Sequence, residues 1–175
     1  AASDVYKRQY NNFKEIKFQR PETPLIGFCG GPLTTFLFMF RRNELNKDFN
    51  YVIKLFYKER KKCIKILEMI TEASTEYVNK QVDCGIDCFQ LFETYCGIIP
   101  EQLYTELVLP YSKKILNVAM NKNCKTIFFP KNYNLGLKHL NKDICDIASV
   151  DWQIPIETAR TLLNLPRPPR PARKI

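Results

Sequence analysis

The hydrophobic positions of this chain follow two periods that alternate along the sequence. Four short apolar runs, each compatible with a buried strand, are separated by longer stretches in which apolar residues recur every three or four positions. The runs are Pro24–Gly30, Ile86–Glu93, Lys125–Pro130 and Asp146–Trp152. Near-continuous apolar strands that alternate with helices are typical of parallel strands in an α/β protein. The pattern therefore predicts about four βα units.

Helical spacing is clearest between about residues 101 and 121. Apolar residues at intervals of four, four, four and three fall on one helix face there, namely Leu103, Leu107, Tyr111, Ile115 and Val118. Pro110 lies inside this stretch and predicts a kink. A second region, about Lys47–Lys80, predicts two helices or one bent helix whose basic segment Lys58–Lys62 faces solvent. Two weaker helical stretches follow, at Gly136–Lys142 and Ile156–Asn164.

The carboxyl ends of the predicted strands are the expected place for chemistry in a parallel α/β fold. Those ends carry Gly30-Gly31-Pro32, Glu93-Thr94-Tyr95, Pro130-Lys131-Asn132 and Asp151-Trp152. A strand that ends in Gly-Gly-Pro can turn sharply and lets another group approach its backbone closely. A complete eight-fold barrel needs about 250 residues. The 175-residue chain therefore predicts only about half of one.

The net charge of the whole chain suggests an anionic partner, but most of that charge lies in the terminal segments. The chain has 27 basic and 18 acidic residues, a net charge of +9 that is common among nucleic-acid binders. Residues 10–165, which we interpret as the folded unit, carry 21 basic and 17 acidic residues and so only +4. The remaining excess lies in residues 1–9, interpreted as a non-native leader, and in the basic Pro/Arg tail 166–175. Nucleic-acid binding is not predicted.

Cysteine and histidine usage gives no metal or nucleophilic site. The seven cysteines accompany no secretory signal and no apolar run of the roughly 20 residues that a membrane span needs, so we expect free thiols in a cytoplasmic protein. Cys84 and Cys88 have no second Cys/His pair at zinc-site distance and are interpreted as structural thiols. His139, the single histidine, has no nucleophile beside it, and no phosphate-binding glycine loop is present.

Four blocks of the sequence carry a recognisable pattern. They are Pro24–Met39, Phe89–Gly97, Leu107–Ile115, and Val150–Trp152 with Ala159-Arg160. In this order and at this spacing they resemble the uroporphyrinogen decarboxylase family, and the resemblance covers about residues 13–164. Four ordered blocks make the match specific.

The resemblance implies a fold of the α/β class, a partial (β/α)8 TIM barrel, that binds uroporphyrinogen in a deep cleft. Members of the family remove the four acetate carboxyl groups of uroporphyrinogen III to give coproporphyrinogen III in haem biosynthesis, without cofactor or metal, and form homodimers. The family's RQAGRY and FSDI motifs, which hold its aspartate and arginines, and its late GNLDP motif have no counterpart in these 175 residues. We therefore expect no catalytic residue here, an internal piece of a barrel about twice as long, and no activity of this chain alone.

Four substrate-binding residues follow from the resemblance. Thr94 stands where the family has a serine hydroxyl that reaches a substrate carboxylate, and a threonine hydroxyl can make the same bond. Phe38 stands where the family has a tyrosine that bonds a carboxylate, so that the ring is kept and the donor is lost. Phe28 and Phe92 match apolar positions that line the pocket, and packing in the core explains them equally well.

Two other functions stay open at this point. A corrinoid-dependent methyltransferase of the same superfamily would need zinc ligands, and no His/Cys cluster of suitable spacing supports it. A non-catalytic binding or scaffold role is compatible with the same fold. A partial barrel also leaves apolar strand edges and faces uncovered, so we expect the isolated chain to self-associate.

Overall fold

The computed structural model describes residues 2–40 and 49–166, with side chains from residue 8 onward. The basic pair Arg41-Arg42 and nearly all of the Pro/Arg tail lie outside these residues. The helices are α1 (Ala2–Gln19), α2 (Pro32–Phe40), α3 (Asn50–Lys58), α4 (Arg60–Asp83), α5 (Glu101–Leu107), α6 (Leu109–Met120) and α7 (Ile156–Leu162). The strands are β1 (Ile26–Gly30), β2 (Cys88–Glu93), β3 (Lys125–Pro130) and β4 (Ile147–Ala148), and short 3₁₀ turns cover Cys96–Ile98 and Leu135–His139.

The described strands form one parallel sheet in the order β1-β2-β3-β4. Its register pairs Gly30 with Phe92, Phe92 with Phe129 and Phe128 with Ala148. Each strand is followed by helical structure, and these segments connect the parallel strands as βα crossovers. The predicted α/β class and the four βα units of a partial (β/α)8 barrel are confirmed.

The strands agree with the sequence pattern except at the last one. β3 has the predicted bounds, and β1 and β2 are each two residues shorter at their amino ends. β4 has two residues instead of the seven predicted for Asp146–Trp152. The chain leaves the sheet there because Asp151 folds back and accepts hydrogen bonds from the backbone N–H groups of Asn132 and Gln153, both at 2.8 Å.

The helices confirm two predicted breaks and add one element that was not predicted. The kink expected at Pro110 is a full break at Val108, with Pro110 in the first turn of α6, where its missing N–H costs no hydrogen bond. Residues 47 and 48 of the predicted 47–80 region lie outside the described residues, and the rest forms two helices that break at Glu59, with the basic segment exposed as expected. The stretch predicted at Gly136–Lys142 is a 3₁₀ turn, and α1 was not predicted.

The two faces of the sheet have opposite environments. One face, the helix face, packs against α2, α4 and α6 through fully buried side chains of β2 and β3, namely Phe89, Leu91, Glu93, Thr126 and Phe128. The alternate positions form the open face, where Phe28 is 60% exposed and Phe92 and Phe129 are half-buried. In a closed barrel this side of the strands faces the interior. No helix within the described residues is long and apolar enough to cross a membrane.

The apolar open face predicts self-association of the isolated chain. We expect its weight-average mass in sedimentation equilibrium to rise with concentration, because aromatic surface on a sheet face is buried by contact. Phe28→Ser should shift this equilibrium towards monomer. Tyr57→Ser is the matched control, since Tyr57 is 63% exposed but lies on α3, away from the sheet. Equal effects of the two substitutions would contradict the prediction.

Candidate ligand-binding site at the strand ends

Three aromatic rings on the open face form a continuous surface, which we call the aromatic floor and define as Phe28, Phe92 and Phe129. They come from three adjacent strands at neighbouring register positions. Phe28 and Phe92 meet edge to face with centroids 5.8 Å apart, and Phe92 and Phe129 do the same at 6.1 Å. Such pairs add to the stability of the cluster while leaving the ring surfaces of the open face available for contact. The floor offers an apolar aromatic surface near the carboxyl ends of the strands, with neighbouring rings nearly perpendicular to each other.

Phe38 belongs to a separate aromatic group. It lies on α2, is 54% exposed, and contacts the ring of Tyr95 edge to face at 5.5 Å. Phe49 packs on the other side of Tyr95 at 5.2 Å. The structure therefore brings Phe28 and Phe92 together, as two of the four predicted site residues, and places Phe38 with the residue that follows Thr94.

Thr94 is the first residue beyond β2 and lies on the same side of the chain as Phe92. It is half-buried, and its hydroxyl has no hydrogen-bond partner among the described residues. Lys131 follows β3 in the same way, and its N–H donates to the carbonyl of Glu93 at 3.2 Å, which continues the parallel register by one residue. Thr94 and Lys131 thus follow neighbouring strands at adjacent register positions, each two residues beyond a ring of the aromatic floor.

Glu93 lies between the floor and Thr94 in sequence but points to the opposite face. Its side chain is fully buried and its carboxylate sits at the amino end of α2. It accepts hydrogen bonds from the N–H of Leu33 at 3.3 Å, from the N–H of Thr34 at 2.7 Å, and from the hydroxyl of Thr34 at 2.6 Å. The hydroxyl of Tyr104 adds a fourth bond at 3.4 Å. A carboxylate there satisfies free N–H groups and complements the helix dipole.

The local sequence explains why β2 must supply this cap. α2 begins with Gly31-Pro32, and neither residue has a side chain that can accept a hydrogen bond. Gly31 also leaves the space that the carboxylate fills, because a Cβ there would lie 2.5 Å from Cδ and Oε2 of Glu93. The predicted close approach to the Gly-Gly-Pro backbone is confirmed, and the approaching group is Glu93.

Burial dominates the electrostatics around Glu93. It raises the pKa of the carboxyl to about 7, although the hydrogen bonds from Thr34, Leu33 and Tyr104 act in the opposite direction. Burial also raises the pKa of Cys29 to about 12, and the Glu93 charge adds to that increase. The pKa of Tyr104 is raised well above its ordinary value by burial and then by the Glu93 charge. The thiol and the phenol therefore stay protonated, and Glu93 is the group of this cluster that titrates near neutral pH.

Sequence reasoning placed Glu93 at a strand end and did not identify it as a cap. The signal was available in the alternation of β2, since Phe89 and Leu91 precede it on the helix face and a strand repeats every two residues. The local sequence could not predict the hydrogen-bond partner of Glu93, because α2 lies about sixty residues earlier in the chain.

The remaining candidate residues behave as expected of structural groups. All seven cysteines are free, including Cys84 and Cys88. His139 is exposed at the end of the 3₁₀ turn after β3. Within the described residues, no group of three or more His, Cys, Asp or Glu side chains is placed to hold a metal ion.

Comparison with known proteins identifies a sequence family over nearly the whole chain. The profile of the uroporphyrinogen decarboxylase family, described as "Uroporphyrinogen decarboxylase (URO-D)", matches residues 11–167. The uroporphyrinogen decarboxylase of Wigglesworthia glossinidia brevipalpis is 33% identical over 148 residues, which are 81% of this chain and 40% of that protein. The enzyme of the same name from Geobacter metallireducens is 30% identical over 153 residues, 85% of this chain and 45% of that protein. The chain thus spans less than half the length of these relatives.

A solved structure agrees in fold. A methyltransferase from Methanosarcina mazei superposes with a TM-score of 0.71 over 87% of this chain and 44% of its own, at 19% sequence identity. Agreement at this identity shows the shared fold alone.

The pKa of Glu93 predicts a specific pH dependence of stability. The folded pKa, about 7, is above the ordinary value of 4.5, so the contribution of Glu93 is fully present below about pH 4.5 and is lost as the pH rises through 7. We expect the free energy of unfolding to fall by about 3 kcal/mol between pH 4.5 and 8. Urea titrations should show this fall in the wild type and not in Glu93→Gln, which cannot ionise. Parallel curves for the two proteins would contradict the prediction.

The contact between Gly31 and Glu93 predicts an unequal response of two adjacent glycines. Gly31→Ala should destabilise the chain by about 2–4 kcal/mol, because the new Cβ displaces the buried carboxylate from α2. Gly30→Ala is the control, since a Cβ at Gly30 meets Oγ1 of Thr35 at 3.3 Å and little else. Urea unfolding at pH 6 measures both changes. Similar losses for the two variants would show that Glu93 does not need the space at Gly31.

Proposed function

Since this chain belongs to the uroporphyrinogen decarboxylase family, we propose that it binds uroporphyrinogen III at its strand ends and serves the conversion of that substrate to coproporphyrinogen III. The observation that carries the proposal is the aromatic floor followed by Thr94, whose hydroxyl has no hydrogen-bond partner among the described residues. Apolar aromatic surface suits the pyrrole rings, and a hydroxyl suits one of the peripheral carboxylates.

The role that we propose for this chain in the reaction is to bind the substrate. Loss of carbon dioxide from a pyrrole acetate breaks the bond between the methylene and the carboxylate and leaves an electron pair that a protonated ring must accept. The methylene then takes up a proton and becomes a methyl group, and the ring loses the proton that it had gained, so that one proton is consumed for each carbon dioxide released. In the family an aspartate and arginines support these steps, and they belong to motifs with no match among these 175 residues. We therefore propose that the chain by itself binds the tetrapyrrole and does not decarboxylate it.

Two considerations favour the decarboxylase over a corrinoid-dependent methyltransferase. The curated relatives at 30–33% identity carry the decarboxylase name, whereas the likeness to the methyltransferase, at 19% identity, concerns the fold. The placement of Thr94 beside the floor also matches a ligand with carboxylates at the edge of a ring system. Homodimer formation and a cytoplasmic location stay predictions.

Tryptophan fluorescence provides a direct test of binding. Trp152, the single tryptophan of the chain, follows β4 and is 87% exposed, so a porphyrin at the strand ends should quench it. We expect saturable quenching by uroporphyrin, the stable oxidised form of the substrate ring. Thr94→Val should weaken that binding about 10–100-fold, the value of one hydrogen bond to a charged group. Thr161→Val on α7 is the control, because the hydroxyl of Thr161 bonds the carbonyl of Glu157.

The same titration separates the alternatives. Quenching by methylcobalamin without quenching by uroporphyrin would favour the methyltransferase. Quenching by neither ligand, from a chain with the expected helical circular dichroism, would favour a scaffold role. Incubation with uroporphyrinogen and chromatography of the products should show no coproporphyrinogen, and its formation would contradict the expected inactivity of the chain.

A further inference from the structure

Among the described residues, Lys131 has no partner, in contrast to two other lysines near the sheet. Lys125, at the start of β3, pairs with Asp146 at 3.0 Å, and Lys17 of α1 pairs with Asp87 at 2.6 Å. The ammonium group of Lys131 has no ion pair or hydrogen bond within the described residues, although the side chain is half-buried. A cation that is partly removed from water and lacks a counter-charge is a place where an anion binds favourably.

The carboxylate of Asp151, near Lys131 in the structure, is hydrogen-bonded to backbone N–H groups. Asp151, three residues beyond β4, is held against the residue that follows Lys131, because its carboxylate accepts a hydrogen bond from the N–H of Asn132. Both oxygens of Asp151 accept backbone hydrogen bonds, Oδ2 from Asn132 and Oδ1 from Gln153. The N–H groups hold this carboxylate against the turn that leaves β3, and the Lys131 ammonium is not within ion-pair distance of it. The counter-charge for Lys131 is therefore not supplied by the adjacent strand.

The position of Lys131 relative to the floor defines what its ligand looks like. Alternation along β3 puts Lys131 on the same side as Ile127 and Phe129, and extension of the β2–β3 register puts it beside Thr94. Neither the ammonium nor the hydroxyl has a partner within the described residues, and their backbones are adjacent just beyond an apolar surface. This combination fits a carboxylate attached by a short aliphatic arm to an aromatic ring system.

We propose that Lys131 and Thr94 together bind one peripheral carboxylate of the tetrapyrrole, with Lys131 as the charged member of the pair. The inference rests on the proposed function and names a binding residue that family resemblance did not supply. The bound carboxylate is one that is retained in that turnover. A salt bridge to the departing carboxylate would stabilise it in the ground state and so oppose its loss, because its negative charge disappears as carbon dioxide forms.

Removal of one lysine charge at two different positions, Lys131 and Lys125, tests the proposed carboxylate site. Lys131→Met should weaken uroporphyrin binding, measured by Trp152 quenching, about 10-fold, and Lys131→Arg should restore it to within about 3-fold. Lys125→Met is the matched control, because Lys125 lies on the same strand and face at the opposite end and removes the same charge. We expect its effect to stay below about 2-fold. Circular dichroism and urea unfolding should confirm that all three variants fold.

The outcomes distinguish this inference from the proposed function. If the wild type binds uroporphyrin and Lys131→Met weakens binding no more than Lys125→Met, the role of Lys131 is wrong while the proposed function stands. If the wild type does not bind uroporphyrin, the proposed function fails. Titration with mellitate, a planar hexacarboxylate, then tests Lys131 alone by the ¹³Cε shifts of the lysines. A larger shift of Lys131 than of Lys125 supports the carboxylate site, and equal shifts overturn it.

Discussion

The buried carboxylate of Glu93 is the interaction on which the strand-end architecture depends. It ties the end of β2 to the beginning of α2 through the N–H groups of Leu33 and Thr34. Thr34 in turn accepts a hydrogen bond from the N–H of Tyr95 at 3.3 Å, so that the helix also holds the segment that follows β2. Thr94 lies between these two anchored residues. The position of the candidate ligand-binding hydroxyl is thus set by contacts on the opposite face of the sheet.

Residues that stabilise the fold and residues that we propose to bind a ligand are adjacent in sequence at the end of β2. Glu93 and the residues before it on the helix face are buried under α2, α4 and α6, and their chemistry is used within the protein. Phe92 and Thr94, one residue away on either side, belong to the open face. A substitution at Glu93 should therefore act on folding, and a substitution at Thr94 or Lys131 on a ligand. Parallel barrels in general combine a packed helix layer with functional residues at the strand ends.

Much of the fold could be predicted from periodicity. Lys125–Pro130 has the bounds that its apolar run predicts, and the break before Pro110 follows from the missing N–H of proline. The errors have physical causes. β4 is short because Asp151 bonds to the neighbouring turn, a contact between segments about twenty residues apart. α1 was not predicted because residues 1–9, which include most of its first half, were interpreted as a non-native leader. Among the site residues, Phe28 and Phe92 do meet, whereas Phe38 packs on Tyr95.

The sequence by itself determined the order of strands and helices, the family, and the residue types at each strand end. These depend on local periodicity and on ordered motifs, both of which can be read along one chain. Only the tertiary structure decided which groups those residues meet. Glu93 has its partners on a helix about sixty residues away, and the carboxylate of Asp151 bonds to backbone N–H groups while Lys131 has no partner within the described residues. Such choices depend on distances between segments that only packing brings together.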